Sequence, residues 1–150
     1  MTVTRDIRAS RRQVWDVMAD GWTYSQWVVG NSRMRAVDPN WPEEGTIICH
    51  SIGVWPLVIN DKTVVEESVP LEKLVLHAKG RPVGAARVIL RLNDIPDGCR
   101  VTMEEYPVSG LGAVMPAKLG DIAAWPRNRE TLWRLGALAQ RLKPSEVSDC

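Results

Sequence analysis

The chain has no phenylalanine and only two tyrosines, yet seven tryptophans among its 150 residues. Two histidines and three cysteines are too few and too scattered for a structural zinc pattern, and neither CxxC nor HExxH occurs. The odd set Cys49, Cys99 and Cys150 reads as free thiols in a reducing compartment. No apolar run approaches the roughly 18 residues of a membrane-spanning helix, and Met1-Thr2-Val3-Thr4-Arg5-Asp6 lacks the apolar stretch of a secretory signal. Nineteen basic side chains against eighteen acidic ones leave a formal charge of +1, which removes any long-range pull on nucleic acid or anionic membrane. There is no Walker loop and no GxSxG elbow. Gly110-Leu111-Gly112 begins like a dinucleotide fingerprint, but Met115 stands at the third glycine position and no βαβ pattern surrounds it. These absences predict a soluble cytoplasmic protein, monomer or homodimer, with no metal, no cofactor, no nucleic-acid partner and no stable membrane insertion.

What is present is ordinary globular composition, 45% hydrophobic and 25% charged, at a length that fits one domain over residues 1–150. Tryptophan is large and carries a polar N–H, so seven of them suit a wide, partly hydrated cavity or plain core packing. Val3 and Ile7 share a face of a first strand over 2–9. Ser10-Arg11-Arg12-Gln13 reads as a capping box opening a helix with Val14, Val17 and Met18 at core spacing, which stops near Asp20-Gly21. A second short helix starts at Thr23 and includes Tyr24 and Trp27. Strands follow over 32–37, 46–52, 58–69, 74–78, 86–92 and 100–106, punctuated by Pro, Gly and the tight turn Asp97-Gly98. Hairpin-length connections imply an antiparallel meander.

Residues 107–124, with Gly110, Gly112, Pro116 and Gly120, read as a flap over a pocket entrance or a plain surface loop. Pro126 is tolerated in a first helical turn, so a helix of about 17 residues is expected from near Trp125. At 100° per residue, Trp125, Asn128, Leu132, Leu135, Gly136, Ala139 and Leu142 share one face, with Arg127, Glu130, Arg134 and Arg141 opposite. Pro144 should end it, leaving 144–150 as a frayed tail.

The order of elements, with Ile7-Arg8-Ala9-Ser10 running into Val14-Trp15, Tyr24-Ser25-Gln26-Trp27, His50-Ser51-Ile52-Gly53, Val101-Thr102-Met103-Glu104-Glu105 and Arg127-Asn128-Arg129-Glu130-Thr131-Leu132, resembles the SRPBCC or START-like helix-grip superfamily. It is most similar to polyketide cyclase/dehydrase-like members of unassigned function. The resemblance implies an α+β helix-grip fold: a curved antiparallel sheet of about six or seven strands, two short N-terminal helices and a long C-terminal helix enclosing a pocket. It implies a cavity rather than a reaction, since relatives bind lipids, cyclise polyketides or assist other proteins.

Strand period two assigns faces. Val101, Met103 and Glu105 point inward together, as do Ile59, Asp61, Thr63 and Val65, and Ile48, His50 and Ile52. So His50, Asp61 and Glu105 look into an otherwise apolar space, with Asn128 facing them from the helix. Burying such groups is costly unless they are paired. They form either a polar cluster that orients or protonates a ligand, or a network that satisfies itself. The candidate ligand-binding set is Trp27, Met34, His50, Ile52, Asp61, Met103, Glu105, Met115, Trp125, Asn128 and Leu132, and the catalytic candidates are His50, Asp61, Glu105 and Asn128. The leading reading is a binder of a small hydrophobic or amphipathic ligand. A cyclase/dehydratase and a protein-interaction module are the alternatives.

Overall fold

The alternation of apolar and polar residues along the middle of the chain builds seven strands, and a computed structural model describes them within residues 1–80 and 84–142. They are β1 (Thr2–Ile7), β2 (Asn31–Val37), β3 (Ile47–Val54), β4 (Leu57–Val69), β5 (Lys73–Gly80), β6 (Gly84–Ile95) and β7 (Gly98–Gly110). All pair antiparallel in one sheet of order β1-β7-β6-β5-β4-β3-β2. Register shifts in the β2–β3, β4–β5 and β6–β7 pairs mark bulges, which bend and twist strands and so curve the sheet. Two glycines are dictated by geometry. At Gly53 (φ 105°) a Cβ would stand 2.3 Å from the Leu57 carbonyl oxygen, and at Gly98 (φ 154°) it would stand 2.0 Å from that of Ile7.

Between β1 and β2 come α1 (Arg11–Ala19), a single 3₁₀ turn at Gly21–Thr23 and α2 (Tyr24–Trp27). The capping box is present: Gln13 N–H donates to Ser10 Oγ at 3.1 Å, and Ser10 N–H donates to Gln13 Oε1 at 2.9 Å. After β7 follow α3 (Leu111–Val114) and α4 (Ala117–Arg141). This is the helix-grip arrangement. α4 lies across the concave face, packing on α1, α2, β1 and β7, and Gly136 lets it approach Ile7. The core of Ile7, Val14, Met18, Ile48, Leu74, Leu76, Leu90, Val101, Leu132 and Leu135 fills the space between them.

Three expectations are corrected. Residues 107–124 are not a loop: 107–110 continue β7, where Pro107 pairs with Ala86, and α3 and the first turns of α4 follow. Pro126 accordingly lies inside α4 rather than near its start. A proline there removes the bond to the carbonyl of Ile122, and Ile122 is 71% exposed, so water can serve that oxygen. Leu142, expected on the inner face, follows the last turn and is 40% exposed. Pro144 and the tail 144–150 lie outside the described residues.

Candidate functional site

The antiparallel register of β3 and β4 sets Ile48 opposite Thr63, His50 opposite Asp61, and Ile52 opposite Ile59. Ile48, His50, Asp61, Thr63 and Val65 are all buried, so this is the covered, concave face. Farther along β5–β7 the same face carries Ala78 opposite Ala86 and Val88 opposite Glu105. The face changes character along its length. Leu74, Leu76, Leu90, Leu92 and Val101 are closed off under the helices, whereas Ile52, Ala78, Ala86 and Val88 are half-buried and Ile59 is exposed. The alanines present only small side chains on that half of the face. An open cleft of about 690 Å³ lined by Thr4, Asp6, Arg100 and Thr102 lies on the outer face and touches none of these residues.

A chain of polar atoms sits where closed core gives way to accessible surface. Thr63 Oγ1 stands 2.9 Å from His50 Nε2 and 3.4 Å from the Tyr24 hydroxyl. A threonine hydroxyl donates once and accepts otherwise, so either imidazole tautomer fits with the matching direction of the chain. His50 Nδ1 is buried with no hydrogen-bond partner among the described residues, as is Trp27 Nε1. The Tyr24 ring separates them, 5.5 Å from His50 and edge-on to Trp27 at 5.3 Å between centroids. Burial pushes the His50 pKa down to about 4; the Asp61 carboxylate opposes this and the Arg35 guanidinium adds to it. His50 is therefore neutral at physiological pH. Asp61 Oδ1 accepts from Lys62 N–H at 2.9 Å. Arg35 crosses from β2 to donate to the Asp61 carbonyl at 3.1 Å and the His50 carbonyl at 3.4 Å.

A second polar group joins sheet to helix. Asn128 Nδ2 donates to Glu105 Oε2 at 2.6 Å, Arg127 Nη2 donates to the same oxygen, and Arg127 Nε donates to Asn128 Oδ1 at 3.1 Å. Asn128 is 1% exposed, while the Glu105 side chain keeps 14%. Both groups lie on the concave side of the sheet. Burial raises the Tyr24 phenol above its ordinary pKa, and among the charges acting on it Arg127 lowers and Glu105 raises it.

Of the expected site residues, His50, Asp61, Glu105 and Asn128 occupy these two groups. Trp27, Met103 and Leu132 are buried in the core, where packing accounts for them. Met34 is half-buried opposite His50, and Ile52 lies on the accessible part of the concave face. Met115 and Trp125 depart from the expected apolar interior, being 43% and 48% exposed. Met115 precedes α4 and Trp125 lies in its N-terminal half, before the buried stretch that begins at Asn128; the Trp125 ring holds the Arg129 guanidinium at 4.5 Å. Sequence reasoning missed Tyr24, gave Thr63 a face without a role, and put Arg127 on the solvent side. Only the parity of Thr63 with Asp61 signalled any of them. No group of His, Cys, Asp and Glu able to hold a metal occurs among the described residues.

The sequence profile of a family described as polyketide cyclase / dehydrase and lipid transport matches residues 1–140. No curated protein matches the chain. Among solved structures, a protein from Nitrosomonas europaea is similar with a TM-score of 0.74 at 15% identity over 95% of each chain. The di-domain ARO/CYC StfQ from the steffimycin biosynthetic pathway matches at 0.72 and 8%, covering 93% of this chain and 50% of its own. Ara h 8.0201 matches at 0.70 and 7%, covering 94% and 97%. At these identities the likeness is one of fold.

Proposed function

The chain belongs to the polyketide cyclase/dehydrase and lipid transport family, and on that premise we propose that it binds a small hydrophobic or amphipathic molecule, of lipid, polyketide or isoprenoid type, between the concave sheet face and α4. One observation carries the reading. The concave face passes from closed core to accessible apolar surface, and a buried imidazole nitrogen stands unpaired at the boundary. Ile52, Ile59, Ala78, Ala86 and Val88 would hold the apolar body. The polar end would meet His50 Nδ1, and Glu105 with Asn128 on the helix side. A few convergent polar groups in an apolar site are what fixes a ligand's orientation.

The likeness to StfQ keeps a cyclase or dehydratase as the second reading, with the same polar residues moving protons. The environment of His50 favours binding over that role. Burial holds its conjugate acid to about 4, which makes it a weak base near neutral pH.

The test titrates the purified chain with the amphipathic dye 1-anilinonaphthalene-8-sulfonate, beside the variant Ala86→Phe, which puts a ring on the accessible half of the face. Saturable binding by the native chain and at least about tenfold weaker binding by the variant are expected, since an added ring overfills a matched space. Equal binding by both proteins, or none by either, would sink the proposal. If His50→Gln abolishes turnover of an aromatic polyketide-type substrate while dye affinity is unchanged, the second reading replaces the first.

A further inference from the structure

The β3–β4 hairpin runs past its β5 neighbour, while β2 accompanies β3 as far as Asn31 opposite Ile52 and the bond from Gly53 N–H to the Gly30 carbonyl. Pairing of β4 with β5 ends at Thr63 opposite Ala78, whereas β3 and β4 stay paired out to Val54 and Leu57. At about 3.3 Å per residue β4 runs on the order of 20 Å beyond that last β4–β5 pair, and only the turn from Val54 to Leu57 stands clear of a bonded neighbour on both sides. From Ile52 to Asn60 it carries no charged residue. Its tip is apolar and open to solvent, with Val54 81%, Trp55 84% and Leu57 83% exposed. Across the concave space, α3 packs on the ends of β6 and β7, and Val114, Leu119 and Ile122 are 78%, 55% and 71% exposed. Both elements stand at one end of the sheet, where β3, β5 and β7 finish and β4 and β6 begin. They flank the accessible end of the concave face.

Such a surface is a cost in water unless something covers it. We infer that this end of the molecule docks reversibly on an anionic phospholipid bilayer, with the β3–β4 tip and the first turns of α4 seated in the headgroup–acyl boundary. Two features select a bilayer over another protein. The apolar side chains lie on two separate elements, the β3–β4 turn and the α3–α4 segment, rather than on one continuous face of about 800 Å² such as a stable protein partner covers. Exposed cations accompany them: Lys79 near the end of β5, Lys62 and Arg33 farther back on β4 and β2, and Lys118 and Arg129 on α4. Asp121, the exposed carboxylate of α4, already faces the Met1 ammonium at 3.8 Å. Lys62 lies roughly 17 Å behind Leu57 along the strand, so with the tip buried about 5–10 Å its backbone stands about 7–12 Å out, where its charge still acts on lipid phosphates within about a Debye length. Tryptophan at a tip suits this boundary, because its ring is apolar and its N–H is not. The docking goes beyond ligand binding and does not depend on it.

Co-sedimentation with phosphatidylcholine vesicles, and with vesicles of phosphatidylcholine and phosphatidylglycerol in equal parts, tests the inference. The native chain should bind the anionic vesicles at least about tenfold better, as expected for lysines and arginines near the bilayer surface. Trp55→Asp and Leu57→Asp should each lower that binding at least about tenfold while leaving 1-anilinonaphthalene-8-sulfonate binding and the urea midpoint in place. Lys79→Glu with Lys118→Glu should erase the preference for phosphatidylglycerol. Failure of the native chain to bind either vesicle overturns the inference, and so does Trp55→Asp sedimenting like the native chain. A dimer in solution that Trp55→Asp dissociates also overturns it, since a second copy would then be the occupant. Vesicle binding without dye binding would remove the ligand reading and leave docking intact; the reverse would do the opposite.

Discussion

Protonation of His50 should limit stability in mild acid. The imidazole is 2% exposed, and burial holds its pKa at about 4 against 6.5 for an ordinary histidine. Above pH 6.5 both folded and unfolded chains carry it neutral. Between 6.5 and about 4 the unfolded chain binds a proton that the folded chain refuses, so stability falls as pH falls. Below about 4 both are protonated and this contribution is flat. A depression of this size is worth on the order of 3 kcal/mol over the whole window, and about 2 kcal/mol between pH 7 and pH 5. Urea unfolding followed by tryptophan fluorescence at those two pH values reads the difference. The variant His50→Gln removes the titration, so it should lose about 2 kcal/mol less than the native chain on the same shift in pH. His77, the other histidine, is common to both proteins and cancels. Equal losses in native and variant chains would refute the reasoning, as would an NMR titration placing His50 near 6.5.

Three further outcomes follow from named contacts. Thr63→Val keeps the shape but strips the partner from His50 Nε2 and the Tyr24 hydroxyl, and should lower unfolding free energy by about 1–3 kcal/mol in urea; an unchanged midpoint would mean that water already serves those atoms. Asn128→Ala removes the 2.6 Å bond from α4 to Glu105 and should cost about 1–3 kcal/mol by the same assay, whereas no loss would show that Arg127 alone satisfies the carboxylate. Ser10→Ala breaks both halves of the capping box and should cost about 1 kcal/mol, read as a lower thermal midpoint by circular dichroism.

The local signals in the chain were strong where one residue type has one physical use. Ser10 and Gln13 announced the start of α1, and Asp97-Gly98 announced the β6–β7 turn, because capping and left-handed backbone need particular side chains. Strand parity was equally informative, since the side-chain period is two: His50, Asp61, Thr63, Met103 and Glu105 all face as alternation requires. Helical periodicity held over Asn128, Leu132, Leu135, Gly136 and Ala139, but the start of that helix was misplaced. Pro126 is a strong helix-start signal, yet the helix runs through it, because the carbonyl it strands is on an exposed turn that water reaches. No window of sequence contains that information.

The chain by itself determined the antiparallel meander, α1, α2 and the buried face of the second half of α4, and which side of each strand points inward, since these follow from local propensity and period. Tertiary structure alone decided what meets what. It brought Tyr24, Thr63 and His50 into one hydrogen-bonded line and turned Arg127 back onto Glu105. It also left the uncharged apolar turn between β3 and β4 open to solvent. Contacts between residues distant in sequence depend on how the bulged sheet curves and where α4 crosses it, and a one-dimensional pattern encodes neither.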